Sequence, residues 1–378
     1  MLRRFLVTLI TVLVLIPAAA QAHKPSDSYL TLAEDQGALT GQWDIALRDL
    51  YYALGLDAND DGAITRGELK ARRDAVAAYA LARLKISAEN KVCALRPTEQ
   101  LVARHSDGAY AVLRFAAACP AAVERLEVSY RLFFDLDPQH RGLLQLVQGE
   151  ANESAIFSPE APVQSFTLGT PRPWRQLRTY LWEGVWHIWI GFDHILFLLT
   201  LLLPAVLLRR DGAWRPVGGP RDAFGQVFKI VTAFTLAHSI TLSLAALDVV
   251  ALPSRLVESV IAASVVVAAI NNLVPVVTRR LWIVAFAFGL IHGFGFAGVL
   301  ADLDLPGGAL LVSLLGFNLG VELGQLAIVA VFLPLAFLLR GTGFYPRVAL
   351  PAGSLAVAGV ATLWLIERAF NVAPLVAL

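Results

Sequence analysis

Residues 187–194 read His187-Ile-Trp-Ile-Gly-Phe-Asp193-His194 and lie in the first of six long apolar runs in the second half of the chain. The runs cover residues 181–208, 224–247, 254–277, 281–300, 308–339 and 348–369. About 20 consecutive apolar residues are enough for a helix to cross a bilayer. We therefore predict a membrane protein whose residues 173–378 form a six-helix transmembrane bundle.

The overall composition excludes several classes of function. The chain is 57% hydrophobic and 16% charged, which is unlike an ordinary soluble protein. Its net charge is +1 and the sequence has no basic patch, so we expect no nucleic-acid partner. It has no Walker motif, so we expect no ATP partner.

The first 22 residues have the pattern of a secretory signal peptide. Arg3 and Arg4 precede a short apolar core, and Ala20-Gln-Ala22 is a small-x-small cleavage site. The mature chain would then begin at His23, whose free amine and imidazole could together chelate Cu²⁺. The alternative is that His23 only happens to follow the cleavage site.

Residues 23–172 are predicted to form an extracytoplasmic β-sandwich-like domain with one helical insertion. A hairpin over residues 29–47 and a strand over residues 126–132 show the alternation of half-buried strands. Residues 159–173 carry four prolines and are interpreted as a linker to the membrane, and His105 and His140 as surface residues. In an oxidising compartment we expect Cys93 and Cys119 to form a disulfide, with two free thiols as the alternative.

Residues 57–68 match the twelve-residue calcium loop of an EF-hand. Gly62 stands at the sharp turn, and helical patterns flank the loop on both sides. The predicted Ca²⁺ ligands are Asp57, Asn59, Asp61, Ala63, Thr65 and Glu68. The alternative is a polar turn whose side chains cap the next helix.

Loop charges predict the orientation in the membrane. The opposite loops hold Asp248, Asp302 and Asp304, with Arg255 as their only base. Basic residues flank the other three connections: Arg209, Arg210, Arg215, Arg221, Lys229, Arg279, Arg280, Arg340 and Arg347. We therefore expect a multi-pass protein of a bacterial inner membrane, with the N-terminal domain and the C-terminus in the periplasm.

Ionisable and amide side chains interrupt five of the apolar runs. Each ionisable group costs roughly 2.5–3.5 kcal/mol at mid-bilayer on insertion scales, so such groups are usually functional. Imidazoles and carboxylates without sulfur are the ligand set of Ni²⁺, Co²⁺ or Zn²⁺. The predicted metal-site residues are His187, Asp193, His194, His238, Glu258, His292, Asn318 and Glu322.

Two members of this set could instead have a purely structural role. His238 could be a packed histidine hydrogen-bonded between helices, and Glu258 could extend to the membrane interface. In one continuous helix, His187 and His194 would lie about 10 Å apart, as two steps of a path rather than ligands of one ion.

Three segments resemble the HupE/UreJ family of nickel permeases. Residues 187–194 have its H-x5-D-H pattern, and residues 232–241 and 317–325 are similar to its later helices. The resemblance implies a helical permease for Ni²⁺ or a related divalent ion, with His187, Asp193 and His194 on the path. The family's nickel-type members carry a doubled His-Gly element, whereas this chain has His292-Gly293 followed by Phe294-Gly-Phe296.

Three functions are therefore compared. The first is transport of a divalent metal ion across the inner membrane. The second is a membrane-embedded zinc hydrolase with Glu322 or Asp193 as its base. The third is a Ca²⁺-stabilised extracytoplasmic binding module on a helical anchor, which would capture metal or a periplasmic protein partner.

Overall fold

The computed structural model describes residues 27–35, 37–61, 63–105, 108–120, 123–149, 151–169, 172–295 and 307–370. The predicted signal peptide, His23 and Gly62 lie outside these ranges.

The N-terminal part is rich in β-structure. Its strands within the described residues are β1 (Asp27–Asp35), β2 (Ala38–Ala46), β3 (Leu84–Ala88), β4 (Lys91–Val92), β5 (Ala94–His105), β6 (Gly108–Ala118), β7 (Arg125–Tyr130), β8 (Arg141–Gln148), β9 (Ala151–Phe157) and β10 (Val163–Thr167). They form a six-stranded sheet in the order β5-β6-β2-β1-β8-β9 and a four-stranded sheet in the order β10-β7-β3-β4. The predicted hairpin corresponds to β1 and β2, which pair antiparallel.

The two sheets share one apolar core. Alternate residues of β1 and β2, such as Leu30 and Trp43, point into it from one sheet, and Ile86 and Val128 enter it from the other. Because side chains alternate across a strand, the opposite face of the six-stranded sheet is left for other contacts.

Among the described residues between β2 and β3, the chain forms three short helices, at the place of the predicted helical insertion. They are α1 (Leu47–Leu54), α2 (Arg66–Ala71) and α3 (Arg73–Leu81). The predicted disulfide between Cys93 and Cys119 is present and joins the chain before β5 to the chain after β6.

Three expectations for this part of the chain were wrong. The predicted linker contains β10, which pairs with β7 and completes the second sheet. His140 is completely buried in the core, where its Nε2 lies 2.6 Å from the hydroxyl of Tyr130. His105 is also mostly buried, because it stacks on Tyr29 and its Nε2 lies 2.9 Å from Asp44 Oδ2.

Apolar helices make up the rest of the described chain. They are α4 (Pro173–Ile190), α5 (Phe192–Leu202), α6 (Pro220–Ala246), α7 (Ser254–Leu273), α8 (Leu281–His292), α9 (Gly307–Leu339) and α10 (Leu350–Phe370). A short hairpin, β11 (Leu207–Arg210) and β12 (Ala213–Pro216), connects α5 to α6.

Within the described residues, four helical segments are long and apolar enough to cross a membrane: α6, α7, α9 and α10 with the turn before it. A fifth is counted if the bent pair α4 and α5 forms one span. The apolar segment containing α8, Leu281–Gly295, is shorter. The chain is thus a multi-pass membrane protein, and its described residues hold four or five spans by this criterion, where the sequence predicted six.

The six-stranded sheet packs with its outer face on the membrane helices. Tyr29, Tyr110 and Leu143 of the sheet share an apolar cluster with Tyr180 of α4 and Leu314 of α9. Polar contacts reinforce this junction, since Gln176 Nε2 donates to Ser154 Oγ at 3.2 Å and to Ser313 Oγ at 2.9 Å. The N-terminal part is therefore docked on the helices rather than tethered to them.

Candidate metal centre

The first predicted span is broken at Gly191. Gly191 ends α4, with its N–H donating to His187 O at 3.0 Å, and α5 starts one residue later at an angle of 71°. The prediction of a continuous helix was wrong, and so was the separation of about 10 Å that follows from it. Because of the bend, the ring centroids of His187 and His194 lie 4.7 Å apart.

Three helices bring three imidazoles together at this bend. His187 lies in the last turn of α4, His194 lies in the first turn of α5, and His238 faces them from α6. One ring nitrogen of each lies within 4.8 Å of the others. In the part of the chain that the structure describes, no other three His, Cys, Asp or Glu side chains converge so closely.

His292 lies next to these three histidines. It ends α8, is completely buried, and its ring centroid is 5.2 Å from that of His194. The structure thus places four predicted histidines in one neighbourhood, three of them as a group of converging ligand atoms.

Asp193 orients His194. Its Oδ1 lies 2.9 Å from His194 Nδ1 and also accepts the His194 backbone N–H at 2.9 Å. A carboxylate accepts only, so Nδ1 carries the ring proton and Nε2 keeps its lone pair. Holding the far nitrogen of an imidazole in this way fixes its tautomer and orientation for metal binding.

Asn318 orients His238 in the same way, by a hydrogen bond to its Nδ1. Its Nδ2 donates to Leu314 O at 2.9 Å, so its Oδ1, which lies 3.3 Å from His238 Nδ1, is the acceptor there. His238 Nδ1 therefore carries the proton, and Nε2 presents a lone pair.

Ser264 of α7 orients His292, but by a hydrogen bond to Nε2 rather than to Nδ1. The hydroxyl of Ser264 donates to Ile261 O at 2.6 Å, so its oxygen accepts from His292 Nε2 at 3.1 Å. Among the described residues, Nε2 of His194 and His238 and Nδ1 of His292 are buried and have no hydrogen-bond partner. Buried lone pairs that the protein leaves unsatisfied are what a metal ion would use.

Aromatic rings surround the histidines. Phe317 lies 5.3 Å from His187, Phe234 lies 5.2 Å from His292, and Phe197 lies 5.0 Å from His292, between ring centroids. This apolar wall keeps the local dielectric low, which strengthens metal–ligand electrostatics.

Glycines let the helices that carry the site approach each other. A Cβ on Gly184 of α4 would collide with Phe317 O, and one on Gly320 of α9 with Leu181 O. Gly289 packs in the same way against Phe234 O of α6, 2.7 Å from where its Cβ would be. Small residues at such contacts permit close helix packing in membranes.

The family model described as "HupE / UreJ protein" matches residues 164–368, more than half of the chain. The chain belongs to the HupE/UreJ family. Membership implies metal-ion transport, of nickel or cobalt, in general terms, and the family consists of transporters rather than enzymes. A search of curated proteins found no match.

In this HupE/UreJ protein, the two predicted glutamates lie away from the histidine group. Glu322 Oε1 accepts from Thr232 Oγ1 at 3.1 Å, and Gln325 Oε1, one turn further on, accepts from Thr235 Oγ1 at 3.2 Å. With the His238–Asn318 pair, these contacts form a polar strip between α6 and α9. Glu258 is partly exposed in the first turns of α7.

Two residues of the site were not predicted from the sequence. Ser264 is the sole polar side chain between Ser259 and Asn271, which was a usable signal. Arg368 lies near the end of the chain, and its Nη2 is 3.8 Å from Asp193 Oδ2. Nothing in the local sequence relates Arg368 to a residue of the first span.

The predicted calcium loop is folded around two of its acids. Asp57 is buried, and its Oδ1 accepts the N–H groups of Asn59 and Asp61 at 3.3 Å each. Glu68 reaches back across the loop, where Oε1 accepts Ala58 N–H at 2.9 Å and Oε2 accepts Thr65 N–H at 2.8 Å.

Thr65 and Glu68 also form the capping box of α2, which was the alternative to calcium binding. These hydrogen bonds, that of the Thr65 N–H first, hold the pKa of the Glu68 carboxyl below its usual range.

Proposed function

We propose that this protein carries a divalent transition-metal ion, Ni²⁺, Co²⁺ or Zn²⁺, across the bacterial inner membrane. His187, His194 and His238 hold the ion on its way, and His292 is a neighbouring step. The proposal keeps the predicted topology of six spans, with the N-terminal domain and the C-terminus in the periplasm.

The observation that carries the proposal is the convergence of three imidazole nitrogens within 4.8 Å. A zinc ion takes imidazole nitrogens at about 2.0–2.1 Å, so small side-chain rotations would close the group around one ion. Hydrogen bonds to Asp193 and Asn318 already select the tautomers that present the lone pairs of His194 and His238.

The polar strip between α6 and α9 supports a path leading away from the histidines. In the predicted orientation α6 runs outward, so Thr235 and Thr232 lie successively closer to the cytoplasm than His238. Their partners Gln325 and Glu322 would offer oxygen ligands to an ion that leaves the imidazoles.

The same contacts favour transport over the zinc hydrolase. The bases considered for hydrolysis, Asp193 and Glu322, are engaged by His194 and Thr232 rather than directed at a water position beside the three imidazoles. A simple anchor, the third function, would have no use for buried histidines with fixed tautomers.

The test is a metal-flux assay on purified protein in liposomes with Ni²⁺, Co²⁺ and Zn²⁺. His194→Ala and His238→Ala should each abolish uptake of the transported ion, whereas His105→Gln, which removes an imidazole of the N-terminal domain, should leave it unchanged. Undiminished uptake by both alanine variants, inserted to the same level, would refute the proposal.

We also propose that residues 57–68 bind Ca²⁺ and that the ion stabilises the N-terminal domain. Asp57 Oδ1 faces into the loop, where it accepts the N–H groups of Asn59 and Asp61, and Glu68 Oε1 accepts the N–H of Ala58 across the loop. Asn59, Asp61, Ala63 and Thr65 would provide further oxygen ligands. On calcium binding, the Glu68 carboxylate would give up its hydrogen bonds to the N–H groups of Ala58 and Thr65 and would coordinate the ion instead.

Calcium at 100 times its Kd should stabilise the domain by about 2.7 kcal/mol. Glu68→Gln should remove this increment, while Glu99→Gln on the exposed strand β5 should not.

The pKa of Glu68 is lowered in the folded state. Its carboxylate therefore stabilises the fold at pH values above the ordinary carboxyl pKa, and this stabilisation is lost as the pH falls through the lowered pKa. Thermal melts with and without Ca²⁺ measure both effects, and a calcium-independent melt of the wild type would exclude the site.

A further inference from the structure

Arg368 places a fixed positive charge beside the candidate metal centre. Its Nη2 lies 3.8 Å from Asp193 Oδ2, while the other oxygen of the same carboxylate lies 2.9 Å from His194 Nδ1. The side chains of Arg368 and Asp193 are only 21% and 20% exposed. One carboxylate thus bridges an arginine and a candidate metal ligand.

Several contacts hold Arg368 at this point. Its Nη1 donates to Glu258 O at 3.4 Å, and its guanidinium carbon lies 5.7 Å from the ring centroid of the buried Trp364. Arg255 donates to the carbonyls of Arg368 and Ala369 at the end of α10. These contacts hold the guanidinium of Arg368 in one position beside Asp193.

An arginine in this position opposes cation binding. The guanidinium stays protonated at any physiological pH, and it neutralises the carboxylate that orients His194. A site that only had to retain its metal ion would bind the ion more tightly without this positive charge. A transport site, in contrast, must bind its ion weakly enough to let it go.

We propose that Arg368 is a tethered counter-cation that competes with the metal ion for the charge of Asp193. It thereby lowers the affinity of the histidine site and speeds release of the ion. This inference rests on the proposed transport function and adds a determinant of its turnover. Arg368 is the last residue of the family match and lies outside the H-x5-D-H pattern and residues 232–241 and 317–325.

The test compares binding and transport in variants of the full-length protein. Arg368→Gln and Arg368→Met remove the charge, and methionine keeps apolar packing over Trp364. Arg368→Lys keeps the charge. Arg178→Gln removes an exposed charge from α4 and serves as the matched control.

At an effective dielectric of about 20, the lost repulsion should lower the Kd for Ni²⁺ or Zn²⁺ in both neutral variants by about tenfold. We expect their maximal uptake rate in liposomes to fall several-fold, while the lysine and Arg178 variants stay close to the wild type. An unchanged or higher Kd in whichever neutral variant folds would overturn the inference. A lysine variant that behaves like the neutral ones would do so too, since charge would then not be the cause.

His194→Ala separates the two levels of the proposal. If the wild type binds neither ion, or if His194→Ala binds as the wild type does, the transport site itself is wrong. If His194→Ala loses binding but the neutral Arg368 variants match the wild type, only the role of Arg368 is wrong.

Discussion

Asp193, Asn318 and Ser264 each hold one ring nitrogen of a buried histidine and leave the other nitrogen with its lone pair. These three residues need not touch the ion to matter. Partners of this kind fix the ligand's orientation and are nearly as important as the ligand itself. The chemistry of the site therefore depends on pairs of residues rather than on histidines alone.

Asn318→Ala should weaken metal binding about 10–100-fold, because His238 would lose the acceptor that fixes its tautomer. In a His238→Ala background the same change should cost much less, since the two residues act as a unit. Ser239→Ala is the control, because the Ser239 hydroxyl bonds within its own helix to Thr235 O. Titration calorimetry of the wild type, the two single variants and the double variant measures the coupling. Equal losses in both backgrounds would show that Asn318 acts independently of His238.

At the scale of helices, the break at Gly191 creates the site. A Cβ at Gly191 would lie 2.7 Å from His187 O and 2.9 Å from His194 Nδ1, so the turn tolerates only glycine without rearrangement. Asp193 then falls in the first turn of α5, where a carboxylate is stabilised by the free N–H groups and the helix dipole. The broken helix thereby turns two residues seven apart in sequence into neighbours.

Gly191→Ala should cost about tenfold or more in metal affinity although every candidate ligand remains, because the histidines would be displaced from each other. Gly225→Ala in α6, where a Cβ meets no atom within 4 Å, is the matched control. Equilibrium dialysis with Ni²⁺ or Zn²⁺ provides the measurement. Wild-type affinity in Gly191→Ala would show that the bend does not set the ligand geometry.

The sequence predicted the type of most elements but not this break. Apolar length and the alternation of β1 and β2 depend on local residue patterns, so they could be read directly. The glycine at 191 with an acid two residues later was a signal for a new helix start, but a run of apolar residues on both sides favoured one long helix. The burial of His105 and His140 depends on Asp44 and Tyr130, which are distant in sequence, so no local pattern indicated it.

At the scale of the whole molecule, the outer face of the six-stranded sheet is fixed to the helices that carry the site. Arg141 Nε at the start of β8 lies 3.6 Å from Glu183 Oε2 on α4, one turn before His187. Both side chains are largely buried, with 10% and 16% of their surface exposed. Movement of the N-terminal part would therefore be transmitted to α4, the helix that carries His187.

Glu183→Gln should weaken this junction by about 2 kcal/mol, because the largely buried Arg141 guanidinium would lose the carboxylate that is paired with it. Glu99→Gln removes one partner of the exposed Arg114–Glu99 pair and should change stability by less than about 0.5 kcal/mol. Hydrogen exchange at β8 and β9 reports the loosening. Equal exchange in both variants would argue against the Arg141–Glu183 contact as a coupling point.

The most direct measurement of the three-histidine site is X-ray absorption of the metal bound to the purified protein. We expect three imidazole ligands at about 2.0–2.1 Å for zinc, and a loss of one imidazole in each of His187→Ala, His194→Ala and His238→Ala that retains the ion. A metal surrounded by oxygen ligands alone, or a spectrum unchanged in all three variants, would contradict the site.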